Sequence, residues 1–331
     1  MKPNSDLWIH EKARFMVGQM AKAEDTAAIM NQGYHLAQKR LEQEADKIFA
    51  RFQSAYGLTE DEAREILSRS GLDIDAAVRA LAASEKGGRN ILAELNGPAY
   101  AHRIQALRES SVEIDRLMEQ LIKRDRKLLT NHLKRSAKDA YLHSVYLTQQ
   151  QAGVSFKFKD YDPEHVDKLL RVKWSKKHFK DAIGDNIHGL GDAIKEEFLV
   201  NYLTGRSTEA AADSIAQRFN FSYYQARRLV RTESTYIEAE MEAQGYEACH
   251  IDKYEYVSIL DNRTSELCQQ HDGKIYKVSE RMPGVNFPPL HVWCRSTTIA
   301  HIPDDYLEQA PAGAVARSGQ RVSFNDWKKE F

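Results

Sequence analysis

Apolar residues recur along the first three quarters of the chain at steps of three and four. Trp8, Phe15, Met16, Met20, Ile29, Met30, Leu36, Leu41, Ile48 and Phe49 make one stripe and predict a long helix, or two abutting ones, over residues 5–52. Ile104, Leu107, Val112, Ile114, Leu117, Leu121, Leu128, Leu129 and Leu133 predict another over 99–150. Thr59-Glu60-Asp61-Glu62 has the form of a capping box, and Gly71 separates that helix from a second one resuming near Asp75, a short helical hairpin. Asp162-Pro163 is a cap followed by proline at the first helical position. The glycines of 184–191 predict a break before a helix over 193–203. Ser222-Tyr223-Tyr224-Gln225 predicts a fresh start between helices over 207–219 and 222–245.

After Gly245 the texture changes. Residues 250–257, 274–278 and 296–300 carry β-formers in short runs, and Pro283, Pro288, Pro289, Pro303 and Pro311 crowd a region that helices avoid. The pattern predicts an α+β protein, with a long, mainly α-helical N-terminal arm followed by a small C-terminal α+β domain with a Cys/His cluster. The expected divisions are long N-terminal helices over 1–56, a helical hairpin over 57–97, a basic helical region over 98–189, the α+β domain over 190–308 and a flexible tail over 309–331.

Composition adjusts this picture in three ways. With 42% hydrophobic residues among 331, the chain has enough apolar material to fold. No apolar run resembles a signal peptide or a membrane span, so a soluble protein is expected. The formal charge of −1 conceals a basic stretch, for residues 121–180 hold 15 Lys/Arg against 6 Asp/Glu. Lys123, Arg124, Arg126, Lys127, Lys134 and Arg135, with Lys138, Lys173, Lys176, Lys177 and Lys180 beyond them, are candidates for sequence-independent contact with DNA phosphates; a solvated helix face is the competing explanation.

The candidate chemistry lies in the last third, with all three cysteines. An odd count clustered in one region argues against a disulfide framework and for a reducing compartment. Cys268-x2-His271 and His291-x2-Cys294 each have the gap that lets a tight turn aim two ligands at one tetrahedral metal, and the thiolate and imidazole donors suit zinc. Four protein ligands would close the site and make it structural. Buried core cysteines and histidines bonded to backbone carbonyls explain the same residues without metal. Arg231 and Glu233, near this cluster, read as structural ion-pair partners more readily than as an acid–base pair, with Arg231 expected to meet Asp261 or Glu266. Asp261 and Arg263 are expected to shape the loop before Cys268, and Asp272-Gly273 a turn.

Taken in order, Arg231-Thr232-Glu233, Asp261-x-Arg263-Thr264, Cys268, Asp272-Gly273 and Pro288-Pro289-x-His291-x2-Cys294-Arg295 resemble the phage head-morphogenesis family, the Mu F-like minor capsid proteins. The resemblance spans about residues 190–302. Family members often have a cysteine where His271 stands and another where Ser296 stands. The resemblance implies a minor head protein of a tailed bacteriophage, not an enzyme. It would be bound at the portal inside the head, would assist head assembly or DNA ejection, and would have portal, capsid and scaffolding proteins as partners. It implies location in the virion interior, after assembly in the bacterial host cytoplasm. The competing enzymatic reading is an HNH-like, metal-dependent nuclease, which needs a general-base histidine and an open metal position with carboxylate or water ligands. The window holds His271 and His291 but no adjacent carboxylate pair. A fused ADP-ribosyl-transferring domain would need more chain than follows Pro303.

Overall fold

The computed structural model describes residues 6–49, 58–83, 98–317 and 322–331. Helix α1 (Asp6–Phe49) is one long helix, the first of the two alternatives the stripe left open. Helices α2 (Glu60–Ser70) and α3 (Ile74–Ala82) follow. The Thr59–Glu62 capping box is present in full, and Gly71 sits at a φ of 67°, a left-handed conformation that glycine adopts without strain. Next come α4 (Pro98–Ala152), β1 (Val154–Ser155) and α5 (Pro163–Leu169), which starts on the Asp162 cap. Helices α6 (Phe179–Thr204) and α7 (Thr208–Ala248) complete the helical part.

Two expected breaks are absent. Helix α6 runs through the glycines at 184, 189 and 191. A Cβ at Gly191 would come within 2.9 Å of Met118, so this glycine serves a close helix–helix approach and not a turn. Helix α7 passes straight through Ser222, whose capping signature is overridden because that residue is buried in the packed helix. Burial of one continuous face outweighs a local start signal worth about 1 kcal/mol.

The C-terminal α+β part contains β2 (Lys253–Val257), the short helix α8 (Glu266–His271), β3 (Ile275–Lys277) and β4 (Thr297–Ala300). They form an antiparallel sheet in the order β3-β2-β4, with Glu255 opposite Ile275 on one side and Ile299 on the other. All of β4 is buried, against the alternating pattern of a half-exposed strand. Helix α9 (Tyr306–Gln309), strand β5 (Val315–Ala316), paired with β1, and helix α10 (Phe324–Trp327) close the chain. Of residues 309–331, expected as a flexible tail, the exposed pair 315–316 is strand-paired with β1, and Phe324 and Trp327 pack on aromatic rings. Phe324 stands 5.8 Å from Phe15 edge to face, and Trp327 stacks on Phe158 at 5.7 Å.

The chain divides into two compact units, each assembled from separate stretches. One comprises residues 1–27, 127–179 and 227–331, and the other 28–126 and 180–226. In the second, Met30, Tyr34, Leu41, Ile114, Leu121, Ile194 and Phe219 are buried, with Tyr34 and Phe219 edge to face at 6.4 Å. The first contains the sheet and the cysteine/histidine residues. Among the described residues, no helix is long and apolar enough to cross a membrane.

Candidate metal centre

Three of the four predicted ligands converge. Cys268, His291 and Cys294 offer ligand atoms that all lie within 4.8 Å of one another. Ser265 caps α8, its Oγ accepting from the Cys268 amide, which fixes the thiol one turn into the helix. Cys294 is set by the turn whose amide bonds the His291 carbonyl, and by Thr235 Oγ1, which donates to the Cys294 carbonyl. Between them Trp293 sits at a φ of 63°, a left-handed conformation costly for an aromatic residue and held here by its surroundings.

The Cys268 and Cys294 sulfurs are 3.8 Å apart, and the Cys268 sulfur lies 3.1 Å from His291 Nε2. Two thiolates bound tetrahedrally to one zinc, each about 2.3 Å away, stand about 3.8 Å apart. The imidazole is oriented for the same use. Its Nδ1 lies 2.6 Å from the Val292 carbonyl, which can only accept, so Nδ1 carries the proton and the Nε2 lone pair faces Cys268. Tyr256, fully buried on β2, places its hydroxyl 3.7 and 4.0 Å from the two sulfurs. The hydrogen bond from Cys294 holds the Cys268 thiol well below its ordinary pKa, with Ser265, Ser296 and Tyr256 acting in the same sense against burial. The same bond, with burial, pushes Cys294 up.

His271 is not part of this convergence. Its Nδ1 lies 2.8 Å from the Tyr276 hydroxyl, across the strand that follows the Asp272-Gly273 turn. Its ring remains near Tyr256, at 5.5 Å between centroids, on the same helical face as Cys268 three residues earlier. Cys249, also buried, lies at the end of α7 outside the group.

The Arg231-Thr232-Glu233 triplet on α7 has a different role from the one its sequence suggests. Arg231 does not meet Asp261 or Glu266. It bonds Glu24 on α1 at 2.7 Å, and Arg227 bonds the same carboxylate at 2.6 Å. Burial raises the Glu24 pKa, but the two guanidinium groups more than offset it and leave it lowered. Both arginines also lie over the Trp293 ring, at 5.4 and 6.0 Å from its centre. Thr232 Oγ1 accepts from the Trp293 amide at 3.3 Å. Glu233, expected in an ion pair, accepts instead from Trp174 Nε1 at 3.0 Å, and burial pushes its carboxyl up to about 7. Three consecutive residues therefore grip α1, the cysteine loop and the 170s loop.

Asp261 takes Arg295 as its partner, with two bonds of 2.6 and 2.5 Å. It also caps the loop by accepting from the Arg263 amide at 2.8 Å, while the Arg263 guanidinium stands 3.6 Å away. Sequence reasoning missed Arg295 as the partner although it adjoins Cys294. It missed Glu24 because nothing in the sequence links a residue to one 207 positions away.

The basic candidates on α4 divide into two sets. Arg124 donates to the Met30 and Ile29 carbonyls, at 3.1 and 2.5 Å, through space left by the missing side chain of Gly33. Arg126 donates to the Lys180 carbonyl at 2.9 Å, and Lys134 pairs with Asp167 at 2.6 Å. Lys123, Lys127 and Arg135 are exposed.

No curated protein and no solved structure matches the chain. Residues 192–299, running from α6 through the Arg-Thr-Glu triplet and the cysteine loop to β4, match the model of a phage head-morphogenesis family described as Phage Mu protein F like protein, over nearly the span in which the sequence shows that resemblance.

Proposed function

We propose that the chain is a minor head protein of a tailed bacteriophage, bound at the portal inside the head, where it assists assembly or the exit of DNA. The observation that carries this reading is the family match over residues 192–299. Its supporting context is a segment whose notable residues are engaged in holding chain segments together. Arg231, Thr232, Asp261 and Arg295 all act on the loops around the cysteine/histidine group. Purified proheads and mature particles should contain the protein in low copy, and it should co-purify with a ring-shaped portal protein. Its absence from heads, together with no portal association, would sink the proposal.

Within this reading, Cys268, His291 and Cys294 hold one structural zinc. His271 is recruited as the fourth ligand by rotating away from Tyr276. Bound there, zinc would supply a cross-link between α8 and the 291–294 turn. The chain's own residues orient the donors: Val292 fixes the imidazole tautomer and Ser265 seats the first thiol. Elemental analysis should find about one zinc per chain, and Cys268→Ser should lose it and lower the melting temperature. A metal-free protein whose stability is indifferent to Cys268→Ser would leave these residues as core groups.

One observation favours the nuclease alternative. Only three ligands converge among the described residues, which is the count of a site with an open position. Cleavage of DNA with added Mg2+ or Zn2+, abolished by His291→Ala, would establish that alternative in place of the structural one.

A further inference from the structure

The densest positive charge in the described chain is not on α4 but in the last turn of α5 and the loop that follows it. Residues 168–177 contain Lys168, Arg171, Lys173, Lys176 and Lys177 and no acidic residue, and all five cations are exposed. A run of like charges in a loop would ordinarily be mobile, because its members repel one another. Here the loop is pinned at its centre and closed at its base. Trp174 turns inward, stacks on Tyr236 of α7 with ring centres 4.8 Å apart and planes 13° from parallel, and donates its indole N–H to Glu233. His178 Nε2 lies 2.7 Å from the Leu170 carbonyl and joins the two ends, while Ser175 Oγ donates to the Lys177 carbonyl across the tip. A half-buried aromatic anchor thus holds up the crown of cations. Before it in sequence, Asp167 is paired with Lys134 and Asp162 caps α5.

We propose that this anchored loop, residues 168–177, is a binding site for the phosphate backbone of double-stranded DNA, and that Trp174 positions its cations. The proposal rests on the reading of the chain as a protein of a DNA-filled head, but it concerns a surface outside the matched family segment. Lysine and arginine without base-reading partners suit sequence-independent phosphate contact, and a loop already held in place loses little freedom on binding. On α4, by comparison, Arg124, Arg126 and Lys134 are committed to partners within the protein.

The test is fluorescence anisotropy of the full chain with a 30-base-pair duplex of arbitrary sequence, from roughly 50 to 200 mM salt. The wild type should bind with steep salt dependence. The triple reversal R171E/K173E/K176E should lower affinity more than tenfold at the low-salt end and make the log–log salt slope shallower by about 2.7, since each phosphate contact contributes about 0.9. Reversal at Lys123, Lys127 and Arg135 should cost less. Trp174→Phe, which keeps every charge and most of the stacking, should weaken binding several-fold with the slope unchanged. Unaltered circular dichroism identifies these as surface effects. The inference is overturned if the wild type shows no salt-sensitive binding, if the loop reversal binds as the wild type does, or if poly-glutamate competes as well as duplex. Its failure is distinguishable from failure of the functional reading, because incorporation into heads and portal co-purification are measured without DNA binding.

Discussion

The two units bury glutamate in opposite ways. In the unit containing residues 28–126 and 180–226, Glu197 on α6 is met by three guanidinium groups, Arg64, Arg206 and Arg218, each at 2.9 Å. Burial raises its pKa, but the bonds from Arg206, Arg218 and Arg64 together outweigh burial and leave it below the ordinary value. In the other unit, Glu238 and Glu242 on α7 lie one turn apart and share the buried Lys12, which is paired directly with Glu242. Burial first, and then the Glu242 charge, pushes Glu238 up to about 8. A buried carboxyl needs either matching cations or a proton. The unit around Glu197 supplies arginines from α2, α7 and the α6–α7 connection, and the unit around Glu238 leaves one carboxyl with its pKa raised to about 8.

The largest break in this contrast should come from Glu197→Ala. It leaves three arginines facing a vacated site and should cost about 3–5 kcal/mol, read from urea unfolding at pH 7. A cost below about 1 kcal/mol would mean that the cluster is solvated in practice. Because the Glu197 pKa is lowered on folding, its contribution is present above the unfolded value of 4.5 and is lost as pH falls below it.

Glu238 has the opposite sign. Folded, it releases its proton near 8, and unfolded near 4.5, so between those values the folded chain holds the extra proton and stability falls as pH rises. The wild type should lose roughly 1–3 kcal/mol between pH 6 and 8, a proton being worth at most about 1.4 kcal/mol per pH unit. Glu238→Gln should flatten that decline above pH 7, leaving the smaller share from Glu233, whose carboxyl titrates near 7. An identical pH profile for wild type and variant would remove Glu238 from the account.

The smallest effect should come from Thr59→Ala, which removes an exposed cap bond in the same unit as Glu197. About 1 kcal/mol is expected, read from urea unfolding at pH 7. It supplies the scale against which the buried cluster is judged.

The helices were legible because their signals are local. The α1 stripe, the Thr59 box and the Asp162-Pro163 start are all decided within a few residues. The same locality misled at Ser222 and at the α6 glycines, where a neighbouring helix and not the flanking sequence decides the conformation. In the candidate site, Cys268, His291 and Cys294 were legible from spacing. His271 shares that spacing but faces Tyr276, a residue whose reach depends on the pairing of β2 with β3. The partners of Arg231 and Glu233 were not legible, because ion pairs and indole bonds across 207 and 59 positions leave no periodic trace.

Successive side chains on a helix point about 100° apart, so Arg231, Thr232 and Glu233 address three different directions from a little under one turn. Their targets, Glu24, Trp293 and Trp174, come from the beginning, the end and the middle of the chain. This turn works as a rotational key: it fits only when α7 has one azimuth about its own axis. A single-residue deletion in α7 upstream of the triplet would spin the key by that angle and mismatch all three tethers together, and the turn cannot be completed until all three stretches of chain have arrived.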